Sequence, residues 1–398
     1  MYLLIKAASG ACNMRCRYCF YADEMACRSV AARPFMTAEQ IDVIIGKALD
    51  RVCTFSDPRA RTLSLGFQGG EPTLAGLGFF RAAVESVARR NVNNIPVSWF
   101  LQTNGTVIDE EWAEFLASNH FLVGLSLDGT PEMHDKNRIT AAGKGTHSSV
   151  LRAARYLRQA GAEFNILTVL TGNNARSPEK LYNYYKKQGF VWQQFIPCIA
   201  PLEVTDNVSD NVCDNVSDNV CDNVCDNVSD GGGAASHALS AERYGDFLCR
   251  LFDLWYADIM AGKHVYNREF ENWIGILAGI EPEDCGMRGI CSEQYLIESD
   301  GSVYPCDFYA LDEFFIGNVL TDSFDKIDEN REKTGFVAGS TTLPSECREC
   351  RWAPLCRGGC RRNRDENGKN RFCDAYRRLF DHAAPRMVAL ADAVRGRR

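Results

Sequence analysis

Short apolar runs alternate with longer stretches of helical period through the N-terminal half of the chain. The runs at 2–6, 62–67, 97–101, 121–127, 164–170 and 190–196 have the length and composition of buried strands, and each leads into a polar or glycine-containing loop. Between them, Thr37 and Gln40 make a capping box, and Ile41, Ile44, Ile45, Ala48, Leu49 and Val52 recur on one helical face. Further helices are predicted at 76–90, 109–118, 147–160 and 177–188, with Pro178 in a first turn and Gly161 and Gly189 as C-terminal caps. This alternation predicts a parallel sheet wrapped by helices up to about residue 200.

Residues 206–229 break the pattern with six tandem copies of Asp-Asn-Val-Ser or Asp-Asn-Val-Cys. A four-residue period rich in Asp and Asn suits neither a packed helix nor a strand, so 206–233 reads as a loose insertion. Its Cys213, Cys221 and Cys225 follow the duplicated unit, in which Ser and Cys interchange, rather than a ligand spacing. The Asn-Val-Ser sequons at Asn207, Asn215 and Asn227 match a glycosylation acceptor but stand without a secretory signal. Two helical patterns follow, at 240–261 and 267–279. A hairpin is expected about Ser299-Asp300-Gly301, between Tyr295-Leu-Ile and Val303-Tyr304. Beyond it, 285–373 has little apolar periodicity, as in segments that metal holds together.

Composition narrows the setting. A chain of 398 residues with 45% hydrophobic content suits one large domain or two ordinary ones. The net charge of -8 argues against a nucleic-acid partner. A basic stretch from Arg357 to Arg378 reads as cover for metal-bound thiolates or as solvated surface. The first eight residues are too short for a secretory h-region, and no apolar run approaches the roughly 20 residues of a membrane span. A cytoplasmic protein without a membrane partner is expected. There, eighteen cysteines divide by spacing into ligands and small hydrophobes. Cys27, Cys53, Cys198 and Cys249 fall outside any ligand spacing, and the six histidines show none either.

The run Cys12-Asn-Met-Arg-Cys16-Arg-Tyr-Cys19 offers three thiolates from one loop. On a four-iron cube three ligands leave one iron open, whereas zinc, the alternative, wants four ligands and finds no histidine nearby. Polar motifs follow at or just past the C-terminal ends of the expected strands, the edge where barrels carry their sites. They are Gly66-Phe-Gln68-Gly-Gly70-Glu71-Pro72, Gln102-Thr-Asn-Gly105, Ser126-Leu-Asp128-Gly129 and Asp135-Lys-Asn-Arg138. Eight more cysteines fall as Cys285-x5-Cys291-x14-Cys306 and Cys347-x2-Cys350-x5-Cys356-x3-Cys360-x12-Cys373. Eight divides into two fully ligated four-iron clusters, with zinc ribbons as the other reading.

CNMRCRYCFY with GGEP resembles the radical S-adenosylmethionine superfamily, and the C-terminal pattern resembles its SPASM module. The resemblance implies an α/β fold: a partial (β/α)6 TIM-type barrel over 1–235, a helical linker over 236–280, and a small cysteine-rich, cluster-binding SPASM domain over 281–398 that ends in a helix. It also implies that Cys12, Cys16 and Cys19 hold a [4Fe-4S] cluster, with Tyr18, Gly70, Ser126, Arg138 and Ile199 lining S-adenosylmethionine. Two auxiliary [4Fe-4S] clusters would then sit on Cys285, Cys291, Cys306 and Cys360, and on Cys347, Cys350, Cys356 and Cys373.

Within the superfamily, Gln68 to Leu74, Gln194 to Ile199, and Cys306 followed by Asp307 resemble the anaerobic sulfatase-maturating enzymes. Those enzymes use a 5′-deoxyadenosyl radical to oxidise the cysteine or serine of a sulfatase Cys/Ser-x-Pro-x-Arg motif to Cα-formylglycine. By this likeness Asp307 is the base, a flavodoxin or ferredoxin-type carrier takes the second electron, and the protein is a monomer. Another SPASM enzyme, forming a thioether or crosslink on a ribosomal peptide, would share every cysteine. Asp307 and a cluster motif starting only twelve residues in speak for the sulfatase-directed reading. A non-catalytic iron-sulfur scaffold or redox sensor is opposed by the open three-cysteine site beside GGEP.

Overall fold

The computed structural model describes residues 1–202 and 237–396, so the repeat reading at 206–233 lies outside the described residues. The six expected strands form in order: β1 (Tyr2–Lys6), β2 (Leu63–Phe67), β3 (Val97–Thr103), β4 (Phe121–Ser126), β5 (Phe164–Leu170) and β6 (Trp192–Pro197). Each pairs parallel with the next, with Leu3 opposite Leu65 and Trp99 opposite Phe121. A short β7 (Tyr266–Asn267) extends the sheet beside β6. On the far side of β1 lie β8 (Tyr295–Glu298), β9 (Ser302–Tyr304) and β10 (Gly317–Asn318). The expected hairpin is therefore β8–β9, turning at Gly301 with φ 85°, and β8 runs parallel to β1 with Lys6 opposite Glu298. One ten-stranded sheet thus joins the first residues of the chain to its cysteine-rich end.

Helices occupy the intervals the periodicity marked, because their ends carry the right chemistry. Seven are α1 (Phe20–Ala26), α2 (Ala38–Cys53), α3 (Leu77–Arg90), α4 (Glu110–Ser118), α5 (His147–Ala160), α6 (Pro178–Gln188) and α7 (Ala241–Met260). Three more are α8 (Arg268–Leu277), α9 (Phe324–Thr334) and α10 (Cys373–Arg395). The Thr37–Gln40 capping box opens α2, Pro178 stands in the first turn of α6, and Gly161 and Gly189 close α5 and α6 in left-handed conformation. Helix α1 has no signal of its own in the sequence, since its start is the last cysteine of the ligand motif. Among the described residues no helix is long and apolar enough to cross a membrane.

The core lies between the sheet and these helices. Phe67, Trp99 and Phe121 stack along β2–β4, with ring centroids 6.3 and 5.2 Å apart, and Phe80 from α3 closes on Phe67 at 4.9 Å. Each such ring contributes about 1.5–3 kcal/mol by burial. A second aromatic cluster, Phe252, Trp255, Phe270, Trp273 and Phe380, joins α7, α8 and α10.

Helix α2 is also fastened to the C-terminal segment. Lys47 Nζ donates to the carbonyls of Val319 at 2.7 Å, Leu320 at 3.2 Å and Asp322 at 3.0 Å, while Arg51 pairs with Asp325 and Asp328. Lys47→Met removes a charged donor from three carbonyls, and urea unfolding should show a loss of about 1–3 kcal/mol. An unchanged midpoint would refute the clamp.

Candidate active site

The chain reverses after β1 through Ser9, at φ 47°, and the cysteine loop runs from there into α1, with Cys19 as its first cap. Two other loops hold it. Gly70 N donates to Ser9 O and Glu71 N to Ala11 O, both at 2.8 Å, while Arg15 N and Arg17 N reach Ile139 O and Asn137 O at 2.7 and 3.1 Å. A Cβ on residue 70 would lie 2.1 Å from Ala11 O, so this contact demands glycine. Glu71 is buried and accepts from Thr73 Oγ1, Thr103 Oγ1 and Asn104 N at 2.6–2.7 Å, which ties the ends of β2 and β3 together.

Cys12, Cys16 and Cys19 face one another closely enough for their thiolates to repel. Burial, the larger cause, pushes the Cys16 thiol up to about 12 and raises Cys12 and Cys19 as well. Yet the sulfurs are aimed at by donors: Met14 N at 3.4 Å and Asn104 Nδ2 at 3.9 Å for Cys12, Arg138 for Cys16, and the amides of Tyr21 and Ala22 for Cys19. Buried thiols surrounded by N–H groups suit thiolates neutralised by metal. Among the described residues no three His, Cys, Asp or Glu side chains gather closely enough to hold a single metal ion.

Beside this loop sits a buried polar knot. Asp128, with no exposed surface, accepts from the Tyr18 hydroxyl and, at 3.0 Å, from Val169 N, and lies 3.1 Å from Arg138 Nε. Arg138 in turn lies over the Tyr18 ring, 5.4 Å from its centroid. Ser126 is buried at the end of β4, two residues before Asp128, and Ile199 is half-buried just past β6 on the same edge of the sheet. The sequence reading named Tyr18 and Arg138 but gave no role to the aspartate that holds both.

A second set of charges lies at the ends of β1 and β2. Lys6 is fully buried and pairs with Asp307, while Gln68 Nε2 donates to the other carboxylate oxygen. The Lys6 ammonium also stands 3.8 Å from the centroid of the Tyr21 ring. Tyr21 donates to Glu298, which Arg28 also reaches at 2.8 Å. Burial alone would raise Glu298; Arg28, Tyr21 and Lys6 together hold it below its ordinary range. The sequence names Asp307 without a counter-ion, and the structure supplies Lys6. The missed signal was a lysine closing the buried run Tyr2–Lys6, since a charge there requires a counter-ion.

The eight later cysteines gather into two groups. Cys285 faces Cys291 and Cys360, and Cys306 faces Cys285 and Cys360. Cys347, Cys350, Cys356 and Cys373 line a cavity of about 310 Å³. Amides again point at sulfur, from Phe308 to Cys306, Gly358 to Cys356 and Arg362 to Cys360. Cys306 directly precedes Asp307, so the inner group adjoins the Lys6 pair. Of the remaining cysteines, Cys198 is buried, whereas Cys27, Cys53 and Cys249 are half-buried.

Residues 8–185 match the family model described as the radical SAM superfamily, and 285–351 match an iron-sulfur cluster-binding domain. The chain is 38% identical to the "Cysteine-type anaerobic sulfatase-maturating enzyme" of Clostridium perfringens (strain 13 / Type A), covering 99% of each protein. It is 37% identical to the protein of that name from Clostridium novyi (strain NT), over 98% of this chain and 96% of the relative. A solved structure titled "Native anSMEcpe with bound AdoMet and Cp18Cys peptide" superposes with a TM-score of 0.84 at 37% identity, covering 99% of both chains.

Removing one side of the buried pair tests its geometry. Lys6→Met should lower unfolding stability in urea by about 3–5 kcal/mol, because Asp307 is left uncompensated, and Lys6→Met with Asp307→Asn should lose markedly less. Equal losses in the two proteins would speak against the pairing.

Proposed function

The chain belongs to the radical S-adenosylmethionine superfamily and, within it, to the cysteine-type anaerobic sulfatase-maturating enzymes, and from that premise we propose that it oxidises an active-site cysteine of a sulfatase polypeptide to Cα-formylglycine. The target motif is Cys-x-Pro-x-Arg, with Ser-x-Pro-x-Arg as the alternative substrate. The observation that carries this reading is the seating of Asp307. A carboxylate next to an auxiliary-cluster cysteine is fixed from both sides by Lys6 and Gln68, at the strand ends that also carry the three-cysteine loop.

In this reading Cys12, Cys16 and Cys19 hold one [4Fe-4S] cluster with an open iron, and Tyr18, Gly70, Ser126, Arg138 and Ile199 line the S-adenosylmethionine site. Cys285, Cys291, Cys306 and Cys360 hold a second cluster; Cys347, Cys350, Cys356 and Cys373 hold a third. When bound, the first cluster and S-adenosylmethionine supply the radical that takes a hydrogen atom from the substrate Cβ. The protein's residues do the rest. Asp128 locks Arg138 and Tyr18 in place, so the cofactor's polar end meets a fixed donor rather than a mobile one. Asp307 takes the thiol proton, its orientation set because Lys6 and Gln68 occupy one lone-pair direction on each oxygen. The resulting thioaldehyde hydrolyses to the aldehyde. The auxiliary cysteines would hold clusters able to accept the second electron, and a flavodoxin or ferredoxin-type carrier would take it from the enzyme. The enzyme works in the cytoplasm as a monomer.

Anaerobically reconstituted protein, given S-adenosylmethionine, reductant and a short peptide bearing Cys-x-Pro-x-Arg, should form aldehyde detectable by mass spectrometry. A thioether product would move it to another SPASM activity. Asp307→Asn should still cleave S-adenosylmethionine while aldehyde formation falls roughly 10²–10⁴-fold; wild-type aldehyde yield would rule out the base. Cys291→Ala or Cys356→Ala should keep cofactor cleavage and lose peptide oxidation, and intact oxidation in either would remove the auxiliary sites from the electron route.

A further inference from the structure

The basic stretch near the C-terminus separates into cations that pair with a carboxylate and cations that meet none. Arg378 pairs with Asp246 at 2.5 Å, Lys369 with Glu346 at 3.3 Å, and Arg351 with Asp381. Arg364 and Arg371 turn inward to backbone carbonyls. Arg348 donates to the Leu343 carbonyl and Arg357 to those of Pro354 and Met287, yet with Arg377 they have no carboxylate within 4.0 Å among the described residues, and all three line the cavity of Cys347, Cys350, Cys356 and Cys373. Arg348 and Arg377 are exposed. The one acidic residue lining that cavity is Glu346, already neutralised by Lys369. Exposed Asp374 beside Cys373 lines a neighbouring groove with Asp381, and Arg377 borders both. A chain of net charge -8 therefore places three guanidinium groups that join no ion pair beside its outermost thiols.

The two cysteine groups differ in depth. Cys306 and Cys360 are closely enclosed, with Cys306 against Asp307, whereas Cys347 and Cys373 are the more open. The groups meet on one loop, where Cys356 and Cys360 stand four residues apart and the half-buried Tyr376 lies near both. An electron released beside Asp307 thus has an inner station and an outer one.

We propose that the rim formed by Arg348, Arg357 and Arg377 is the docking surface for a small acidic one-electron carrier protein, and that the second substrate electron leaves the enzyme there. The inference rests on the sulfatase-maturating reading and adds the exit to it. Per substrate, the Cβ hydrogen atom goes to the radical and the thiol proton to Asp307. The remaining electron reduces one oxidised carrier by one electron, the clusters that the two cysteine groups would hold lying between. Positive charge at the rim orients an acidic carrier and raises its encounter rate without entering the chemistry.

The test uses cluster-loaded enzyme with an acidic flavodoxin and, in parallel, an acidic ferredoxin. Arg348→Glu combined with Arg377→Glu should weaken binding of at least one carrier by roughly tenfold or more at low ionic strength and flatten its salt dependence. One-electron reduction of added oxidised flavodoxin during a single turnover should slow in parallel. Aldehyde formation driven by dithionite should match wild type, which also shows that the variant is folded. Unchanged affinity and salt dependence for both carriers, or no binding of either by the wild-type enzyme, would overturn the proposal. Absence of aldehyde from wild-type enzyme with dithionite would count against the functional reading instead, independently of the binding result.

Discussion

A lysine ammonium removed from water needs an anion at contact distance, and Lys6, the last residue of β1, finds it in Asp307, three hundred and one residues later. That requirement places the cysteine-rich segment against the start of the chain. The β8 strand lies parallel to β1, with Glu298 opposite Lys6, and Tyr21, Arg28 and Glu298 extend the buried charges into one network. Breaking any member leaves a charge in a dry interior, so the network favours one arrangement of the two ends of the chain. The same arrangement brings a carboxylate and an auxiliary cysteine, Asp307 and Cys306, to the edge of the sheet that carries the three-cysteine loop.

The thiol sites follow the same logic with the sign reversed. Burial disfavours thiolates, and the loops answer with amide and guanidinium donors directed at sulfur. Such donors do little for a neutral thiol and much for a metal-bound thiolate. The close passage of Gly70 over Ala11 belongs to the same design, since a side chain there would push apart the two loops that enclose the site.

Charge also separates the deep cysteine group from the shallow one. Beside Cys306, Asp307 is paired with buried Lys6. Around Cys347 and Cys373, Arg348, Arg357 and Arg377 join no ion pair, and two of them are exposed. Paired charges hold geometry, while unpaired surface charges act over a Debye length of about 8–10 Å and so suit a partner that arrives and leaves.

Strands, caps and the three-cysteine loop were legible in the sequence because each depends on residues within a few positions: the apolar run, Thr37 with Gln40, Gly161 and Gly189, and the spacing of Cys12, Cys16 and Cys19. The radical-enzyme family could be read from the same local motifs. The tertiary structure alone decided that Lys6 and Gln68 hold Asp307 and that Asp128 serves both Tyr18 and Arg138. Spacing alone also left open that Cys360 faces Cys285 and Cys291 although it shares a loop with Cys356, a grouping that only the family resemblance implied. Local spacing determines which side chains a loop presents, but a buried charge or thiolate takes whatever partner the packed sheet brings to contact distance. That choice is made by desolvation across hundreds of residues, where no pattern in the sequence records it.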